Sequence, residues 1–290
     1  MADTLIRDVS DTAFWVAHHR AAESSRPDAL FHDPLASRLA GERGAKIAAG
    51  MPRNAMLAWS VALRTCIIDA FIEEAVAAGV DAVLNLGAGL DARPYRMQLP
   101  ASLVWVEADH PQIIDYKEQV LRDERPRAQL SRVAIDLADD AARRALLSAF
   151  AAKATRALVL TEGVVPYLRQ EEAAALADDL RRLPSVKYWV AEFFSPEVLA
   201  ARRRQTALQD QLQNAPFRFQ PDDWFAFFAS HGWRSAEARN FSDEGEARGR
   251  PLELTEEMRA ALANLKADPA QATEPKKTLS VGYALFEPAA

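Results

Sequence analysis

Four acidic sites punctuate the first two thirds of the chain, each read as standing just beyond a short apolar run: Asp91, the pair Glu107 and Asp109, Asp136, and Glu162. Carboxylates collected at one edge can accept hydrogen bonds from hydroxyls and ammonium groups or neutralise a cation. A cation on the stripe of a helix precedes them. Arg64 follows Asn54 in a long helical pattern and shares a stripe with Ile67, Ile68, Phe71, Ile72, Ala75 and Val76, ended by Gly79. An arginine on an inward face needs a counter-charge, which either a protein carboxylate or a ligand carboxylate can provide. The first acidic site follows Gly87-Ala88-Gly89 at the end of the apolar run Ala82 to Leu86. A strand that stops at glycines lets the backbone come close to a nucleotide-like ligand, although the same residues also make an ordinary tight turn.

The elements that must position these groups alternate. Strands are expected at Ala82–Leu86, Leu103–Val106, Leu130–Ile135, Ala157–Leu160 and Val186–Phe194, with helices at His110–Glu124, Asp139–Lys153 and Glu171–Leu183 between them. Alternation of this kind gives a parallel sheet with helices on both faces, and such sheets bind ligands at the carboxyl ends of their strands. The interval from Gly89 to Pro100 leaves room for only a turn or two of helix. After a helix at Pro221–His231, strands at Gly232–Arg239 and Thr278–Phe286 close the sheet as an antiparallel hairpin. The whole chain reads as one domain, with 1–53 as a helical cap and 195–220 plus 240–277 as insertions over the substrate side.

Composition narrows the partners. The 290 residues are 49% hydrophobic and 26% charged with a net charge of -6, and the two signs are interspersed. That leaves no electrostatic footprint for nucleic acid or an anionic membrane. The single cysteine, Cys66, excludes an internal disulfide and a multi-cysteine zinc site, and His18, His19 and His32 lack ligand spacing, so no metal is expected. No basic leader and no membrane-spanning run are read, and the expected compartment is the cytoplasm.

Five motifs occur in order: Arg64-Thr65, NLGAGLDARPYR, VEADHP, IDL at Ile135 to Leu137, and TEGVVPYL at Thr161 to Leu168. With the N-terminal SDTAFWVAHHRAAESSRPDALFHDPLA, they resemble the leucine carboxyl methyltransferase superfamily, including its bacterial polyketide-type O-methyltransferase-like members, over Ser10 to Phe286. The resemblance implies a class I, Rossmann-like methyltransferase fold of seven strands and S-adenosyl-L-methionine as cofactor. It further implies that Arg64 binds the methionine carboxylate and that Gly87, with Gly89 and Asp91 in the same turn, underlies the amino-acid portion. Asp109 with Glu107 would take the ribose, Asp136 and Leu137 the adenine, and Glu162 the ammonium or sulfonium side. Tyr167 would line the transfer pocket for a small-molecule substrate. Asn85, Ala92 and Pro166 depart from the family's commoner residues. A nicotinamide-dependent oxidoreductase and a catalytically silent cofactor-binding relative are the alternative readings.

Overall fold

The computed structural model describes residues 5–51, 55–199, 214–252 and 280–289. The helices described are α1 (Val9–Ser24), α2 (Ala36–Gly50), α3 (Ala55–Ala77), α4 (Arg93–Arg96), α5 (Pro111–Leu121), α6 (Asp140–Ala151), α7 (Gln170–Arg181), α8 (Trp224–Ser230) and α9 (Phe241–Ala247). The strands are β1 (Ala82–Leu86), β2 (Val104–Asp109), β3 (Gln129–Ala134), β4 (Ala157–Thr161), β5 (Val186–Phe194), β6 (Trp233–Asn240) and β7 (Val281–Pro288). They form one seven-stranded sheet in the order β3-β2-β1-β4-β5-β7-β6. β1 to β5 run parallel, and β7 is antiparallel to both β5 and β6. The expected terminal hairpin is therefore present, with its last strand inserted beside β5. The expected insertions at 195–220 and 240–277 fall largely outside the described residues.

Each face of the sheet has its own apolar layer. Leu84, Val159, Trp189 and Phe286 pack with Leu147, Phe150, Leu176, Leu180 and Phe228 of α6, α7 and α8. On the opposite face Val83, Leu158 and Val190 meet Ile67, Ile68, Phe71 and Ile72 of α3. All four of these α3 side chains are fully buried. Each stabilises the fold by about 1.5–3 kcal/mol relative to exposure. By length and apolar composition α3 could cross a membrane, which corrects the expectation that no such run exists. Here its apolar side chains are instead buried against the sheet, as for a core helix.

The N-terminal helices cover one corner. α1 and α2 pack on each other and on α5 through Ala17, Leu39, Ile113 and Leu121, and Leu90 and Ala92 of the glycine turn join the same cluster. β2 is longer than expected. Glu107 lies inside it, paired in register with Asn85 of β1 and Arg132 of β3, and does not stand beyond its end. A carboxylate can occupy that interior position because two cations reach it, as the site shows.

Candidate active site

The glycine turn is tied down by its own backbone. Gly87 and Gly89 both have positive φ. This is the left-handed region that glycine enters without a Cβ penalty. Three successive amides are consumed by β2: Gly87 and Ala88 donate to the Ala108 carbonyl at 2.8 and 3.1 Å, and Gly89 donates to Asp109 Oδ2 at 2.6 Å. No nest of free amides remains for a phosphate, so this is not a phosphate cradle. The room beside each glycine is taken by protein. A Cβ on Gly87 would lie 2.4 Å from Val164 Cγ2, and one on Gly89 would lie 3.2 Å from Ala13 Cβ of α1. The glycines thus admit Val164 and α1, a role that the strand-and-turn pattern alone did not show.

Asp91 and Arg93 build the floor. Asn85, polar in a wholly buried strand, donates through Nδ2 to Asp91 Oδ2 at 2.9 Å, and Asp91 also accepts from the Arg93 amide and from Arg93 Nη1. A donor amide at position 85 suits the ionised Asp91, where a second carboxylate would repel it. Burial drives the Asp91 pKa up, but Arg93, with Lys117 and Arg20 further off, outweighs it and holds the carboxyl well below the usual range. Arg93 also reaches Glu162 Oε2 at 2.7 Å and Asp69 Oδ1 at 2.7 Å, and Arg96 holds both oxygens of Asp69. Asp91 is thereby a structural acid of the turn.

Arg64 comes to the same cluster from α3. Its Nε lies 2.9 Å from Glu162 Oε1, a contact without hydrogen-bond geometry, so Nε is buried with no hydrogen-bond partner. Burial alone would raise the Glu162 pKa, yet Arg93 and Arg64 bring it below normal and keep it ionised. Arg64 thus has a protein counter-charge in Glu162 and keeps an Nε without a hydrogen-bond partner.

Asp109 ends β2 with one oxygen on Gly89 and the other on the His110 amide at 2.7 Å. Each carboxylate oxygen has a second lone pair, so both retain acceptor capacity. Glu107 differs sharply. It is fully buried, with Lys117 Nζ 2.8 Å from Oε1 and Arg132 donating to Oε2 at 2.8 Å, and the structure makes it an internal ion triad. Asp136 is exposed and accepts from the Ala138 amide at 2.9 Å, while the Leu137 carbonyl accepts from Arg143. Tyr167 ends a single 3-10 turn, Val165–Tyr167, stacks edge-on with Phe217 at 5.2 Å and joins Trp15, Ile47 and Ala215 in a cluster under the N-terminal helices.

Sequence reasoning missed two groups that stand near Arg64. Glu192 interrupts the apolar run of β5. A charge in a buried strand was the available signal. His19 of α1 was read only as lacking metal spacing. Its Nε2 is buried without a partner, and burial, then His18 and Arg64, push its pKa down to about 4.

The site fits the cofactor that its sequence motifs imply: a cation whose Nε lacks a hydrogen-bond partner, an ionised acid beside it, and a carboxylate with spare lone pairs on the neighbouring strand. Two solved structures share the fold: a DUF574 family protein from Streptomyces avermitilis, with TM-score 0.57 and 15% identity over 96% of this chain and 97% of that one, and a Thermobifida fusca protein titled as a methyltransferase, with TM-score 0.57 and 14% identity over 99% and 97%. With its mostly parallel seven-stranded sheet, the chain has the class I methyltransferase fold.

The leucine carboxyl methyltransferase family model matches residues 13–181, and the chain belongs to that family. A Streptomyces coelicolor protein assigned as an S-adenosyl-L-methionine-dependent methyltransferase is 32% identical over 83% of this chain and 88% of its own length. A Mycobacterium tuberculosis protein with the same assignment is 31% identical over 87% and 89%. The chain is an S-adenosyl-L-methionine-dependent methyltransferase, and the nicotinamide reading falls with that assignment.

Proposed function

We propose that the enzyme transfers the methyl group of S-adenosyl-L-methionine to an oxygen of a small molecule, either a carboxylate or an acidic hydroxyl. The observation that carries the cofactor side is the Arg64–Glu162 pair at the end of β4. A cation with an unsatisfied donor beside an ionised acid is the complement of an amino-acid zwitterion. Arg64 takes the methionine carboxylate and Glu162 the ammonium. Asp109 accepts from the ribose hydroxyls, and Asp136 with the Leu137 backbone holds the adenine edge. Gly87 and Gly89 let Val164 and α1 close against the turn.

The cofactor supplies a methyl group on a cationic sulfur, already a strong electrophile. The protein's work is then to orient the acceptor oxygen and exclude water. Tyr167, under the N-terminal helices, lines that pocket, and residues 1–53 act as its cap. A carboxylate is ionised at neutral pH without help, whereas a simple alcohol needs a base of suitable pKa within reach. The histidine near the site, His19, has a pKa of about 4 and is a weak base, which favours an acidic acceptor. The buried, free Cys66 suits a reducing cytoplasm.

Titration calorimetry with S-adenosylmethionine, S-adenosylhomocysteine and NADH tests the cofactor side. Binding of the two sulfur compounds and no response to NADH is expected. A methyl-transfer screen over carboxylic and phenolic metabolites, read by mass spectrometry, tests the acceptor. Products methylated only on nitrogen or carbon would overturn the oxygen assignment.

A further inference from the structure

Glu162 and Glu192 occupy equivalent places on neighbouring strands. Thr161 of β4 pairs with Ala191 of β5 in parallel register, so Glu162, just past the end of β4, and Glu192, still inside β5, each follow directly on a paired residue. Arg64 senses both carboxyls from α3. The charges of the cluster are already matched without Glu192: Arg64, Arg93 and Arg96 face Asp69, Asp91 and Glu162. Among the described residues no cation forms an ion pair with Glu192, the fourth carboxylate, and Arg64 acts on it only from a distance. Glu192 is only 3% exposed. Its Oε1 accepts from the Val164 amide at 3.2 Å, its own backbone amide also acts on the carboxyl, and its Oε2 is buried without a partner. The residue opposite it on β7 is Tyr283, a neutral phenol.

A carboxyl buried beside a like charge, with backbone amides as its only donors and one orphaned oxygen, keeps its proton. Cofactor chemistry supplies what is missing. S-adenosylmethionine carries an ammonium, a carboxylate and a sulfonium, for a net charge of one positive, whereas S-adenosylhomocysteine has lost the sulfonium and is neutral overall.

We propose that Glu192 is a second cofactor-facing carboxyl, protonated in the free protein and ionised when the sulfonium charge of S-adenosylmethionine arrives beside it. The O–H bond of the carboxyl breaks, the proton passes to solvent, and the resulting carboxylate balances the sulfonium. Glu192 thereby distinguishes the reactive cofactor from its spent form. This rests on the cofactor assignment above and adds a residue and a proton to it. The groups facing Glu192 agree. Burial, then Glu162, push its pKa up to about 8 against the opposing pull of its own backbone amide, Arg64 and the Val164 amide, with Tyr283 as its neighbour on β7 and Arg93 behind Glu162.

The test compares the two sulfur compounds by titration calorimetry at pH 7, in Pipes and in imidazole, whose different ionisation enthalpies report proton release. S-adenosylmethionine is expected to release about one proton more per site than S-adenosylhomocysteine, since a group of pKa near 8 is mostly protonated at pH 7. The ratio of S-adenosylmethionine to S-adenosylhomocysteine affinity should rise with pH by up to about tenfold per unit below pH 8. Glu192→Gln, isosteric with the protonated form, should abolish both effects. Equal proton release by the two compounds, or a pH-independent ratio in the unaltered protein, overturns the proposal even if the variant does not fold. Failure of both compounds to bind removes the cofactor reading itself, an outcome distinct from equal release.

Discussion

Arg20 of α1 donates through Nη2 to the carbonyl of Leu90 at 2.5 Å, so the N-terminal helix is fastened directly to the glycine turn. The same guanidinium pairs with the fully buried Asp33 at 2.9 Å. Arg20→Ala leaves that carboxylate with the Leu35 amide and, as the nearest described cation, Arg96 at 4.0 Å. The change should destabilise the protein by about 3 kcal/mol. Chemical denaturation measures the loss, and a matching fall in S-adenosylmethionine affinity should accompany it because the turn is no longer held.

Arg64→Ala should weaken S-adenosylmethionine binding by at least about tenfold, as expected for losing a charge-assisted pair. Calorimetry reads this directly. Unchanged affinity would assign Arg64 to the internal pair with Glu162 alone.

Glu107→Gln separates structure from binding. It leaves Lys117, fully buried, without its counter-charge. The cost should be roughly 3 kcal/mol in stability. Cofactor affinity in the folded variant should stay within about twofold, since Glu107 is enclosed by Lys117 and Arg132. A large affinity loss with little change in stability would instead restore Glu107 to the ribose.

Gly87→Ala should destabilise the protein by about 1–3 kcal/mol, the range for a forced contact or a strained dihedral. A Cβ there meets Val164 Cγ2 at 2.4 Å, and the backbone is left-handed at this residue. The double variant Gly87→Ala with Val164→Ala should recover part of the loss, leaving the dihedral strain. No recovery in denaturation midpoints would show that Val164 is not the obstacle.

The acid limb of stability should carry a signature of His19. Its folded pKa, about 4, lies below the ordinary 6.5, so the unfolded chain binds the extra proton between those values. Stability is lost as pH falls from about 6.5 to 4, by up to about 1.4 kcal/mol per unit. Glu192 acts oppositely: its folded pKa is raised to about 8, so its contribution is present below pH 4.5 and is lost as pH rises towards 8. The difference in unfolding free energy between the unaltered protein and His19→Gln isolates the first slope. A difference that does not change between pH 4 and 6.5 would refute it.

What the sequence disclosed and what it concealed divide along a physical line. Periodicity and turn residues report local structure, and β1, β5 and the acidic edge were legible because each depends on neighbours in the chain. Pairing across strands does not. Glu107 and Asp109 are two residues apart and look alike, yet one is enclosed by Lys117 of α5 and Arg132 of β3 while the other ends the strand with spare lone pairs. Glu192 passed unnoticed for the same reason: its protonation follows from a charge balance among residues on α3, α4, β4 and the glycine turn.

The sheet's order has a consequence for how the chain is made. Among the described residues β6 pairs only with β7, and β7 lies between β6 and β5. As synthesis proceeds, β6 leaves the ribosome before β7 exists, with the backbone donors and acceptors that face β7 unpaired. β1 to β5 can already assemble, but β5 then presents an open edge waiting for a strand encoded about ninety residues later. A ribosome stalled within that interval would hold a nascent protein with two unsatisfied edges, the form in which this enzyme is most exposed to pairing with the wrong chain.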